Sequence, residues 1–121
     1  MQVYKQEGSV PVPLYRAKAE FFRTLGHPVR IRILELLSEG DLAVHELRAR
    51  IDIEASSLSQ QLAVLRLAGL VTQSRQRGEV VYSLALPEVR DLLLVARTIL
   101  RTKTADQGEL VDDLTPTDQP A

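Results

Sequence analysis

The chain runs to 121 residues, 45% of them apolar, which bounds it to one domain with a modest core that a partner chain could enlarge. It has no cysteine, which excludes disulfides, thiolate metal ligands and thiol chemistry, and no run of about eighteen apolar residues that would cross a membrane. The net charge of −1 is unevenly spread: residues 104–121 hold five acids and no Lys or Arg, leaving residues 1–103 with 15 basic against 11 acidic groups. The resulting +4 on the body permits nucleic-acid binding without diagnosing it.

The opening MQVYKQEGSVPVP lacks the charged-then-apolar build of a secretory signal. Its Gly8, Pro11 and Pro13 make residues 1–13 a flexible lead-in, and a soluble cytoplasmic protein is the expectation. From Leu14 to Leu25 (LYRAKAEFFRTL), the residues Leu14, Phe21 and Leu25 fall on one helix face. Gly26 ends that helix. Pro28 opens the next at a first-turn position where its missing N–H costs nothing. This second helix, roughly 28–38, carries Val29, Ile33, Leu34, Leu36 and Leu37, is expected to be the most buried, and stops before Gly40. His27 reads as structural, hydrogen-bonded near that helix start. Leu42 to Val44 suits a very short strand, and His45 to Arg50 a short helix with Leu47 and Ile51 inward. Asp52 and Ile53 then make a tight connection, where Asp tolerates the left-handed conformation better than most residues.

The chain is organised around the stretch that follows, IDIEASSLSQQLAVLRLAGL, from Ile51 to Leu70. Leu58, Leu62 and Leu65 recur at i, i+4 and i+7 and give one apolar stripe. Ser56, Ser57, Ser59, Gln60 and Gln61 between them can both donate and accept hydrogen bonds. Such a face can match the fixed donor and acceptor patterns of base edges in a major groove, although an ordinary solvated face has the same composition. Gln60 and Gln61 are the expected base readers through bidentate amide–adenine contacts, while the serines and the helix N-terminus suit phosphates. Glu54, at the cap position, suits the helix dipole and should point away from DNA. Gly69 ends the helix in a left-handed conformation, with Leu70 as apolar partner. Two short helices joined this closely form a helix-turn-helix.

Beyond Gly69 the period shifts toward two. Leu70–Gln76 and Glu79–Leu84 read as the strands of a hairpin around Arg77–Gly78, whose tip places Arg75, Gln76 and Arg77 to touch phosphates or a minor groove. Pro87 opens the last helix, with Glu88 in its first turn. That helix is apolar more widely than one small domain needs, through Val89, Leu92, Leu93, Val95, Ala96, Ile99 and Leu100. Leu14, Phe21, Val89, Leu92, Leu93, Ala96, Ile99 and Leu100 are therefore the expected dimer interface. The body thus spans residues 14–103, and residues 104–121, with Pro116, Pro120 and scattered acids, read as a disordered tail.

Helix, helix, short strand, helix, Ser/Gln helix, hairpin, helix is a mainly α architecture with a small β-hairpin. FFRTLGHPVRIRILELL (21–37), GDLAVHEL (40–47), LSQQLAVLRLAGLV (58–71) and RGEVVYSL (77–84) closely resemble the ArsR (ArsR/SmtB) family of bacterial winged-helix transcriptional repressors. The likeness covers most of residues 21–100. It implies a winged helix-turn-helix homodimer, paired through its first and last helices, whose recognition helices enter successive major grooves of a partly palindromic double-stranded operator.

The chain departs from the family's metal sensors. Where one site has Cys-Val-Cys this sequence has Ala43-Val44-His45, and on the final helix Asp91 is followed two residues later by Leu93 rather than His. No metal site and no cofactor are expected. His45 is a lone imidazole with only Asp41 and Glu46 near it in sequence, whereas structural zinc takes about four ligands. The inducing signal stays open. Two rival readings remain: a winged-helix interaction module that has lost DNA binding, and a metal sensor with an atypical site. An enzyme is not expected, because the two His stand in unrelated contexts and no nucleophile–base pair or phosphate loop is visible.

Overall fold

The computed structural model describes residues 11–104. In chain order it has α1 (Leu14–Leu25), α2 (Pro28–Ser38), β1 (Leu42–Ala43), α3 (Val44–Arg50), α4 (Ala55–Leu67), β2 (Val71–Gln76), β3 (Glu79–Leu84) and α5 (Glu88–Lys103). The flexible lead-in expected over 1–13 and the tail expected over 104–121 fall mostly outside the described residues. Of these segments, residues 11–13 precede α1 and Thr104 is the C-cap of α5. No helix among the described residues is long and apolar enough to cross a membrane.

Apolar phase and backbone chemistry explain the elements. α2 supplies Ile33, Leu34, Leu36 and Leu37 to the core, more than any other helix. His27 is its N-cap, and the ring Nδ1 accepts the Val29 backbone N–H at 3.1 Å, while Pro28 takes the first helical position. α3 opens with Glu46 reaching back to the Ala43 N–H at 2.8 Å, so a first-turn carboxylate satisfies a backbone donor at the helix start.

α4 packs Leu58, Leu62 and Leu65, each at most 1% exposed, against this centre. Full burial of a leucine stabilises by about 1.5–3 kcal/mol, so this stripe holds α4 in place more firmly than its helix propensity does. Its C-terminus carries two bonds: Leu70 N–H to Leu65 O and Gly69 N–H to Arg66 O, both 3.0 Å. With Gly69 at φ 77° and Leu70 buried, this is a Schellman end.

The link between α3 and α4 differs from expectation. Among the described residues Arg77 is the one non-glycine with positive φ, so Asp52 is not left-handed. Instead the Ile53 N–H donates to Ile51 O at 3.0 Å, an inverse γ-turn centred on Asp52. Such a turn bends the chain at negative φ and removes the need for a left-handed corner. Burial of Ile51 and partial burial of Ile53 pin its two ends.

The short strand and the hairpin, read separately in the sequence, join into one antiparallel sheet of order β1-β3-β2. Leu42 pairs with Tyr82 and Ala43 with Val81, while β2 pairs with β3 from Val71↔Leu84 to Gln76↔Glu79. Arg77 (φ 53°) and Gly78 (φ 80°) form the two-residue loop, the double positive φ of a type I′ turn.

Candidate nucleic-acid interface

The buried stripe of α4 dictates which residues it turns outward. At about 100° per residue, Ser56 and Gln60 lie roughly opposite Leu58 and Leu62, whereas Ser59 lies on one flank and Ser57 and Gln61 on the other. Burial agrees: Ser56, Ser57, Ser59 and Gln60 are exposed, and Gln61 is half-buried. Leu67 shares the outward face near the far end of the helix and is 70% exposed. Glu54 is the N-cap, but its side chain makes no capping hydrogen bond.

Gln61 is not a free amide. Its Oε1 accepts from Arg30 Nε at 2.8 Å, and Arg30 Nη1 also donates to Thr24 O at 3.1 Å. One guanidinium on α2 thus bridges the last turn of α1 and the middle of α4. No spacing rule signals this contact, because Arg30 and Gln61 are 31 residues apart.

The wing extends two strands beyond the core, with Thr72 to Glu79 exposed throughout. Arg75 Nη1 donates to Gly78 O at 3.0 Å, folding its head against the loop, and Gln76 Nε2 donates to Ser74 Oγ at 3.2 Å. Arg77 sits in the turn itself. Arg48 and Arg50, both exposed in the last turn of α3, add two cations just before α4 that sequence reasoning had not singled out.

The expected dimer residues divide into three groups. Leu14, Ile99 and Leu100 are 69%, 53% and 49% exposed, open for contact. Phe21, Leu92 and Leu93 are partly buried against the core, and Ala96 is half-buried. Val89 must be withdrawn: it is 3% exposed inside the subunit's own core, because the first turn of α5 points inward. Tyr15, Phe22, Leu94 and Val95 are further exposed apolar residues on the same two helices, outside the expected interface set. Phe22 stands edge-on to Phe21, ring centroids 5.4 Å apart.

His45 Nδ1 lies 3.3 Å from Glu79 Oε1, joining the start of α3 to the start of β3, with both side chains largely exposed. Among the described residues no group of three or more His, Cys, Asp or Glu is placed to hold a metal. On the side of α2 facing α5, a cleft of about 290 Å³ is lined by Glu35, Ser38, Glu39, Arg90, Leu93 and Arg97.

Two short helices at a tight corner, the second presenting a hydrogen-bonding face and followed by an exposed basic hairpin, define a winged helix-turn-helix of the DNA-binding class. The family pattern described as "Bacterial regulatory protein, arsR family" matches residues 27–73. Rv0081 of Mycobacterium tuberculosis strain H37Rv, an "Uncharacterized HTH-type transcriptional regulator", is 50% identical over 103 residues, covering 84% of this chain and 90% of that protein. The crystal structure of M. tuberculosis Rv0081 superposes with a TM-score of 0.72 at 52% identity, covering 79% of this chain and 97% of that one. A "Biofilm growth-associated repressor" of Agrobacterium fabrum is 39% identical over 82 residues, or 64% of this chain and 70% of that protein. The repressor BigR of Xylella fastidiosa aligns with a TM-score of 0.66 at 36% identity, covering 70% of this chain and 87% of that one.

The chain belongs to the ArsR family of DNA-binding transcriptional regulators. The relatives named here are regulators of transcription rather than enzymes.

Proposed function

We propose that this protein is a homodimeric repressor that binds a partly palindromic operator and occludes a promoter. The observation that carries the reading is α4, whose core-facing leucines leave Ser56 and Gln60 outward on a rigid helix, with Ser57 and Ser59 exposed on either side. Gln60, exposed and with its whole amide available to a partner, is the residue assigned to a base edge, through a bidentate contact to adenine. Ser56, Ser57 and Ser59, together with the backbone N–H groups of the first turn, hold phosphates. Arg75, Gln76 and Arg77 of the wing, with Arg48 and Arg50 of α3, add affinity that depends on salt more than on sequence.

The exposed apolar residues of α1 and α5 support dimerisation: Leu14, Tyr15, Phe22, Leu94, Val95, Ile99 and Leu100 are each at least 45% exposed. Large apolar side chains exposed in such number on a small domain mark a contact surface. Two copies related by a two-fold axis place two α4 helices against successive major grooves, which is why the operator is expected to be partly palindromic.

The release of DNA is assigned to a signal other than metal. The family's thiolate and Asp-x-His metal sites are replaced by Ala43-Val44-His45 and by Leu93. Among the described residues His45 pairs with one carboxylate, Glu79, where zinc takes about four ligands. The test is a binding titration of purified protein against DNA from its own upstream region, over a salt series, with EDTA and with zinc. Specific binding that weakens steeply with salt and ignores both additives supports the reading. Release by zinc would turn His45 and Glu79 into metal ligands, and no specific binding would favour an interaction module.

A further inference from the structure

The outward face of α4 does not include Gln61, whose position about 60° from Leu58 puts it on the flank nearest α2. There its Oε1 is already an acceptor for Arg30 Nε, 2.8 Å away in a half-buried contact. Resting on the DNA-reading function proposed above, we infer that Arg30 is a positioning residue that presents Gln61 to a backbone phosphate. The pair sets the depth and register of α4 and does not read a base.

The chemistry of the amide leads there. A bidentate contact to adenine needs the carbonyl oxygen to accept from N6–H and the amide nitrogen to donate to N7. The guanidinium takes one of the oxygen's two lone pairs and turns that oxygen toward α2, so the group turned away from Arg30, toward a partner, is the NH2, which carries two donors. Phosphate oxygens only accept. Position agrees with chemistry: when a helix lies in a major groove its outward face meets base edges, and its flanks run beside the groove walls where phosphates stand. The guanidinium behind Gln61 adds positive potential on that flank, which favours an anion over a neutral base edge.

The second bond of Arg30 gives the arrangement its rigidity. Its Nη1 takes Thr24 O at 3.1 Å, one of the last-turn carbonyls of α1 that no helical N–H reaches. Gly26 breaks the chain between α1 and α2, and Arg30 spans that break. A phosphate contact made by Gln61 is thereby anchored to α1, one of the two helices assigned to dimerisation, and not to α4 alone.

The full chain is first used to select duplexes from a random pool. Failure of the wild type to enrich any sequence overturns the DNA-reading function itself, and this inference with it, before any variant is compared. With an operator selected, each phosphate is replaced singly by an uncharged methylphosphonate, and binding is measured for wild type, Gln61→Ala, Arg30→Ala and the combined variant. The expected result is one phosphate per half-site whose neutralisation weakens the wild type but not the variants. Each single variant binds the unmodified operator roughly tenfold more weakly, the combined variant no more weakly than either, and all select the same base sequence.

Gln61→Glu, which keeps an acceptor for Arg30 but sets a carboxylate against phosphate, loses at least as much. If Arg30→Ala does not fold, Arg30→Met serves, since it keeps the aliphatic stem but has no N–H to donate to Gln61 or Thr24. A change in selected base at one position in Gln61→Ala shows that Gln61 reads a base and overturns the inference. Losses that multiply in the combined variant show that the two side chains act separately and overturn it too.

Discussion

Gln60 and Gln61 are neighbours of the same type, yet the fold gives them different surroundings. Gln60 is exposed on the outward face, while Gln61 is half-buried and bonded to Arg30. Gln60→Ala should therefore lower discrimination at one A·T pair of the operator by about 1–3 kcal/mol while leaving thermal stability within experimental scatter. Binding titrations against operators with that pair changed, beside melting curves, check both halves of the statement. Leu62→Ala, two residues on, should do the reverse. It removes a side chain 1% exposed in the core, at a cost of about 2–5 kcal/mol measured by denaturant unfolding. Gly69→Ala isolates a backbone effect: no atom lies within 4 Å of the added Cβ, so its cost is the left-handed φ alone, about 1–2 kcal/mol.

The wing is an element whose contribution can be separated from that of α4. Arg75 and Arg77 are exposed at its tip. Replacing both by Ala should weaken operator and unrelated DNA alike and flatten the dependence of log affinity on log salt by about one unit per lost phosphate contact. An unchanged slope would remove the wing from the interface. Elements such as this one were legible in the sequence because their signals are local. The Arg77–Gly78 pair between alternating residues marks a hairpin, Gly69 followed by Leu70 a left-handed helix end with its apolar partner, and Gly26-His27-Pro28 a break and a helix start. What depended on distant partners was not legible. Asp52 took a γ-turn because buried Ile51 and partly buried Ile53 fix the corner from either side, and Arg30 meets Gln61 across 31 residues with no periodicity to announce it. α5 shows a third kind of difficulty. Its apolar residues run round most of the helix, so composition alone could not say that Val89 faces inward while Leu94 and Val95 face outward.

At the scale of the whole molecule, the apolar faces of α1 and α5 and the reading face of α4 belong to one device if the protein works as a pair. Ile99→Asp places a charge at a position 53% exposed, away from the core, so the subunit should keep its fold. In a dimer buried on that face, the unpaired carboxylate shifts sedimentation toward the monomer and weakens operator binding by much more than it weakens contact with unrelated DNA. The measurement that addresses the central claim most directly is a hydroxyl-radical footprint of the wild type on DNA from its own upstream region. Two protected stretches centred about 34–36 Å apart, related by approximate two-fold symmetry in sequence, are the expected result. A single short protected stretch, or no protection at protein concentrations that saturate unrelated DNA, would contradict the account.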